Sequence, residues 1–407
     1  MKKHEWNFKK YFRKGAFGWK GTTLATKRLK EAVSEIKKVS KTDPFIAGDG
    51  CIILMERLSS ALEHIDGSSG ALGNAVNKAL NELIPILIDV PAIKEKRKRW
   101  LEQLHTAILN DGVQFLSPVE ESWGKICVFP DLLNEWADRI LPEVKAIWTG
   151  KKEFEFHTCT DICLSCLLES GRYDELENLL ALQGHKFWPH DKFQAEALRR
   201  QGRIAEALDY ADSIRNGDHH DTEIMLFCES LLIQSGLKEE AYKRYGLNIR
   251  DSRTYLTQFK AIVKKYPEYP EKKILLDLIN QSDNKAAWFA SARQAGFLDI
   301  ALECLKSGYV DVKTLIRAGK DTIETETEFA MAVSLRAIEL LLMGYGYEIT
   351  NHDVLEAGTV FIFSAKKLGK MPDAINELKN LLTPKEKKLD KFTRELMENL
   401  LNGLTKN

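Results

Sequence analysis

Five glycines in this 407-residue chain are each followed, five residues on, by a small or aliphatic residue that opens an apolar stretch: Gly171/Leu176, Gly202/Ala207, Gly236/Ala241, Gly296/Ala301 and Gly369/Ala374. Glycine enters the left-handed backbone conformation that closes a helix without the steric penalty of a Cβ. Alanine five residues later lets a second helix lie close against the first. The surrounding text, SGRYDELENLL, QGRIAEALDYA, SGLKEEAYKRY, AGFLDIALECL and LGKMPDAINEL, is in each case preceded by an amphipathic run. Each unit therefore reads as helix, turn, helix. The pattern constrains architecture and says nothing of chemistry.

The glycines are spaced by 31, 34, 60 and 73 residues, and the first two spacings fall in the range of repeats made of one helical hairpin. The longer two read as doubled periods. Between Gly236 and Gly296 a helix pair is expected in DSRTYLTQFKAIVKKYP and PEKKILLDLINQ, broken by Pro267 and Pro270. Between Gly296 and Gly369 a long helix is expected from about Glu326 to Met343. The glycine-plus-five alanine resembles the intrahairpin turn of tetratricopeptide repeats, with Leu176 standing where alanine is usual. The resemblance implies an all-α chain: an α-solenoid of tetratricopeptide-like hairpins over 151–383, preceded by an N-terminal helical region. Residues 1–41 read as a basic aromatic arm and amphipathic helix. Residues 42–150 read as a helical domain or cap with helices at 46–65, 72–89, 94–110 and 131–148, and 384–407 as a C-terminal capping helix.

Few segments alternate with period two, so almost no sheet is expected. The most hydrophobic pieces, LNELIPILIDV and AIELLLM, are too short to span a bilayer, and MKKHEWNFKKYF lacks the apolar run of a secretory signal. Seven cysteines, an odd number scattered through helical text, fit a reducing compartment. Together these imply a cytoplasmic protein. The phrases LKEAVSEIKKVSKTDP, LEHIDGSSGALGNAVNKAL, WADRILP, TYLTQF and GYGYEIT resemble a family of uncharacterised bacterial proteins of similar length. That resemblance implies a bacterial origin and transfers no functional residues.

Net charge is zero overall, yet residues 1–41 hold 13 Lys and Arg against Glu5, Glu31 and Glu35. In the phrase WNFKKYFRKGAFGWKG the cations Lys9, Lys10, Arg13, Lys14 and Lys20 interleave with Trp6, Phe8, Tyr11, Phe12, Phe17 and Trp19. Cations for phosphates beside aromatics for bases suit single-stranded nucleic acid, and the same mixture suits an anionic surface. The competing reading packs the aromatics on the acidic body and leaves the lysines in water.

Three other constellations could carry chemistry. His157, Cys159, Cys163 and Cys166 are soft zinc ligands, but the cysteines share one helix face and no second ligand pair follows, so they read as core. Ser68, Ser69 and Gly70 precede a helix whose free amides could hold an anion, although a helix-to-helix turn with serine at its N-cap is the simpler account. His185, Trp188 and His190, with Asp218, His219, His220 and Asp221, lie at helix starts on one edge of consecutive hairpins. Solvated loop histidines are the simpler account of that group.

No serine-elbow, zinc-protease, dinucleotide or Walker motif occurs. No cofactor and no metal are expected, and a dispersed active site is the remaining enzymatic alternative. The function expected is a non-catalytic scaffold whose hairpins hold a protein segment on a concave wall, with nucleic acid through the arm as the alternative. By tetratricopeptide analogy, positions about ten, six and three before each turn glycine line the wall. They are Asp161, Ser165 and Leu168; Lys192, Glu196 and Arg199; Leu226, Ser230 and Ile233; and Ala286, Ala290 and Arg293.

Overall fold

All five turn glycines sit in left-handed backbone, with φ of 74° at Gly171, 75° at Gly202, 79° at Gly236, 86° at Gly296 and 69° at Gly369. Nothing lies within 4 Å of where a Cβ would be at any of them, so dihedral angle and not space demands glycine. The residue after each glycine donates its amide back across the helix end: Arg172 to Leu167 and Arg203 to Leu198 at 3.0 Å, Leu237 to Leu232 and Phe297 to Ala292 at 2.9 Å, Lys370 to Ala365 at 2.8 Å. This is the six-to-one bond of a Schellman cap. The carbonyl of that same residue then accepts the first bond of the next helix, from Leu176, Ala207, Ala241, Ala301 or Ala374. One residue thus ends one helix and starts the next. All five of these bonded partners are 0% exposed.

The computed structural model describes residues 4–150, 158–249, 254–383 and 389–405. It is 74% helical, with 22 α-helices and no strand among the described residues. None of those helices is long and apolar enough to cross a membrane. The chain divides into two compact units, residues 1–231 and 232–407. A boundary near residue 150 is therefore not where the packing separates: one apolar core joins the N-terminal helices to those that follow. Residues 151–157, which carry most of the expected boundary and His157, lie outside the described residues.

In the first unit the helices run α1 Thr22–Ser40, α2 Pro44–Leu62, α3 Ala71–Asp89, α4 Lys94–Leu109, α5 Ser117–Glu121, α6 Trp123–Cys127, α7 Pro130–Trp148, α8 Thr160–Glu169, α9 Tyr173–Leu180, α10 Trp188–Arg200, α11 Ile204–Ile214 and α12 Asp221–Gln234, the last crossing the division. Asp43 accepts the Ile46 amide at 3.0 Å and Pro44 occupies the first turn of α2, which fixes that helix start locally. The short helices α5 and α6 had no periodic signature in the sequence. They pack on α8, and α8 in turn packs on α7, α9 and α10. Trp100, Trp123 and Trp136 fill the core, the last two edge to face at 4.9 Å.

The second unit contains α13 Lys238–Ala241, α14 Tyr255–Lys265, α15 Glu271–Gln281, α16 Phe289–Gln294, α17 Leu298–Lys306, α18 Val312–Thr322, α19 Thr327–Leu342, α20 Asn351–Lys367, α21 Met371–Leu382 and α22 Lys391–Thr405. The pair broken by Pro267 and Pro270 is α14 and α15, and the long expected helix is α19. Helices α18, α19 and α20 pack on one another, and α22 closes on α20 and α21. Gly344, at φ 80°, ends α19 with the same amide bond, from Tyr345 to Leu340 at 3.0 Å, but a loop follows it instead of a helix.

The arm is docked. Trp6, Phe8, Phe12 and Phe17 are all buried, and only Trp19 among the indoles and phenyls of the arm is open, at 66% exposure. Glu35 of α1 accepts the amides of Asn7 at 2.9 Å and Phe8 at 3.3 Å, Arg57 of α2 donates to the Phe12 carbonyl at 3.0 Å, and the Gly15 amide reaches Ser60 at 2.9 Å. A Cβ on Gly50 would collide with the Trp6 indole, so the bare backbone of α2 is the seat of that ring.

Candidate functional site

Titratable groups concentrate in the first unit where α5, α8 and α10 meet. Asp161 stands in the first turn of α8, Glu120 and Glu121 in α5, and His190 and Lys192 in the first two turns of α10. The His190 Nε2 lies 3.8 Å from Asp161 Oδ1, a carboxyl oxygen that is buried and makes no hydrogen bond. The other imidazole nitrogen, Nδ1, is 3.0 Å from the Gln183 side-chain oxygen, and the ring packs between Trp148 at 5.6 Å and Phe187 at 5.1 Å. Lys192 pairs with Glu121 at 2.8 Å.

Burial dominates the electrostatics. It pushes the Asp161 carboxyl up to about 7, against the partial relief of Lys192, and the Glu120 carboxyl up to about 8, with Asp161 and Asp111 adding repulsion. It pushes His190 down to about 4. The pair is thereby inverted: between those values both partners are neutral, the acid holding its proton and the imidazole lacking one. Around them is a cavity of about 30 Å³, lined by Asp111, Glu120, Thr160, Asp161 and His190 among others. That is about one water's share of liquid volume. The cavity thus sets two carboxyls of raised pKa beside an imidazole of lowered pKa.

Of the expected wall residues, the structure brings Asp161 and Lys192 into this cluster. Glu196 and Arg199 belong to a second one on α10, where Glu196 accepts from Arg199 at 2.6 Å and Arg200 at 2.9 Å, and Arg200 reaches Glu169 of α8 at 2.7 Å. Three positions are corrected. Ser165 is 2% exposed and binds α8 to α6, accepting the Gly124 amide at 3.0 Å and donating to the Glu121 carbonyl at 2.8 Å; Leu168 and Ala286 are likewise buried. Leu226 is half-buried and Ser230 exposed on α12. Within the second unit Ile233 and Ala290 pack partly on the core, and Arg293 donates to Asp321 at 3.1 Å.

Lys9 is half-buried and Lys10, Arg13, Lys14 and Lys20 are exposed; of the aromatics beside them Trp6, Phe8, Phe12 and Phe17 are buried, Tyr11 is half-buried and Trp19 is exposed. At Ser68, Ser69 and Gly70 the Asp66 carboxylate accepts the Ser68 amide at 3.0 Å, and Gly70, the residue before α3, is in left-handed backbone. The Ser69 hydroxyl accepts the amide of Ala71 at 3.4 Å, which is turn chemistry. Cys159, Cys163 and Cys166 are buried with raised thiols, Cys159 and Cys163 at about 12, and Cys166 hydrogen-bonds Cys127 of α6. Among the described residues no group of three His, Cys, Asp or Glu is placed to hold a metal.

The histidine groups do converge. Phe187 contacts His190 at 5.1 Å and His220 at 5.6 Å, and His219 lies against His220 at 3.9 Å. Asp221 accepts the Asn216 and Gly217 amides and so belongs to the turn before α12. Glu120 escaped the sequence reading because α5 is a single turn. Ser117-Pro118 marked its start, but nothing local marked which of its two glutamates faces inward. No family model and no curated protein matches this chain.

Proposed function

We propose that the chain is a non-catalytic binding scaffold, a tetratricopeptide-like stack of hairpins that holds a segment of another protein against its first helices. The observation that carries this reading is the recurrence of one turn geometry: five left-handed glycines, each with a fully buried residue five positions later. Stacks of equivalent hairpins bury one continuous core and leave the first helices as a wall. Contact of α8 with α10, and of Trp188 on α10 with Phe227 on α12 at 5.6 Å, supports such a wall within the first unit. Lys192, Glu196 and Arg199 on that face are half-exposed and ion-paired. A peptide carrying complementary charge can exchange those pairs at little net expense, since such pairs are worth about 0.2–1 kcal/mol each.

The test is peptide selection against the intact chain by phage display, followed by affinity measurement on a Lys192→Ala/Arg199→Ala variant. Binders should lose at least tenfold affinity while the unfolding midpoint is unchanged. Selected peptides that bind the variant as well as the parent would refute the wall.

A further inference from the structure

We infer that the groove between α1 and α3 docks an acidic amphipathic helix of a partner protein. The groove has a volume of about 480 Å³. Its floor is aliphatic, from Leu29 and Val33 of α1 and Ala75 and Ala79 of α3. Lys30, Lys37 and Lys38 of α1, Lys41 just past its end and Lys78 of α3 form its rim, with Glu82 as the one acid of the lining. Glu82 is engaged by Lys37 across the groove at 3.1 Å. Among the described residues Lys30, Lys38, Lys41 and Lys78 make no ion pair, and all four are exposed. The other acids of α1 are committed elsewhere: Glu31 to Arg28 at 2.7 Å and Glu35 to the backbone of the arm.

Four uncompensated cations around one apolar trough hold a concentrated positive potential, and it is relieved by an occupant that is anionic on its flanks and apolar beneath. The spacing suits a helix. Lys30 to Lys41 spans about 16 Å along α1 at 1.5 Å per residue, three turns of a docked helix. The floor residues Leu29 and Val33, like Ala75 and Ala79, are four apart on their own helices, so each pair presents one side-chain row. The two alanines let a third helix approach to the interaxial distance of packed helices, about 8–10 Å. A nucleic-acid strand fits less well because none of the lining residues is aromatic and the floor offers bases nothing to stack on. A bilayer needs a protruding apolar face, whereas this one is recessed. The site is separate from the wall of α8 and α10 and does not depend on that reading.

The probe is a fluorescein-labelled, hydrocarbon-stapled 15-residue helix with leucines four apart on one face and glutamates on both flanks, followed by anisotropy against the full chain. A glutamate-only 15-mer of equal charge, a 15-nucleotide single-stranded DNA and phosphatidylglycerol vesicles are run beside it. Two lesions act independently: Lys30→Glu/Lys38→Glu/Lys78→Glu reverses the rim, and Ala75→Trp fills the trough with the charges intact. The inference expects the stapled helix to bind at least tenfold better than the glutamate-only peptide, and each lesion to reduce that binding at least tenfold with the circular-dichroism melt preserved. A lesion that lowers the melt is read from the other. Equal binding of the two peptides, or full binding by a folded Ala75→Trp chain, would overturn it. So would DNA or vesicles binding more tightly than the stapled helix and being lost on rim reversal.

Discussion

Substituting alanine for glycine should have opposite signs at two places in the first unit. At Gly202 the backbone sits at φ 75° with no atom within 4 Å of where the new methyl would stand, so the whole penalty is conformational. An L-residue in left-handed backbone costs about 1–2 kcal/mol. Loss of unfolded-chain freedom returns about 0.4–1 kcal/mol, leaving Gly202→Ala destabilised by about 1 kcal/mol. Gly73, inside α3, has the same open surroundings and no positive φ. There the freedom lost by the unfolded chain is unopposed, and Gly73→Ala should stabilise by about 0.5–1 kcal/mol. Asparagine, which tolerates the left-handed region, should cost less than alanine at 202. Urea unfolding followed by far-ultraviolet circular dichroism reads both as midpoint shifts at constant slope. If Gly202→Ala is neutral or stabilising, the turn does not depend on its backbone conformation, and the account of all five hairpin turns fails with it.

Asp161→Asn tests the buried acid. Its folded carboxyl, raised from 3.8 to about 7, is penalised only when ionised. The penalty is absent below about pH 4, grows as pH rises, and is complete above about pH 7, reaching about 4 kcal/mol at 1.36 kcal/mol per unit. The variant should therefore match the parent at pH 4 and exceed it at pH 8 in urea unfolding; equal stability at pH 8 would show the carboxyl to be well solvated. His190, lowered to about 4, has the opposite slope, its neutral form being favoured as pH rises from 4 to 6.5, so the contrast is clearest above pH 6.5. Glu35→Ala frees the Asn7 and Phe8 amides and should cost about 1–3 kcal/mol, with faster tryptic cleavage after Lys9 and Lys10; unchanged cleavage would mean that the arm is held by its aromatics alone.

The hairpin turns were legible because every requirement lies within six residues: a left-handed glycine, the cap donated by its neighbour, and the first bond of the next helix. The same holds for the start of α2 at Asp43-Pro44 and for α14 and α15 around Pro267 and Pro270. The wall was legible only in part. A helical offset reports which residues share a face and is blind to what covers that face, so Ser165 was placed in a groove although α6 sits on it. In the same way the charge excess of residues 1–41 could be counted, but the count could not show that bare Gly50 seats Trp6 or that Phe8, Phe12 and Phe17 are buried while Trp19 is exposed.

Sequence alone determined that this chain is helical and where its glycine turns fall, because secondary structure and turn chemistry are decided by neighbours along the backbone. Tertiary structure alone decided that Glu120, Asp161 and His190 share one small cavity, and that lysines of α1 and Lys78 of α3 rim one trough. These residues lie tens of positions apart, and their pKa values and field follow from distance and burial, which exist only once the helices have packed.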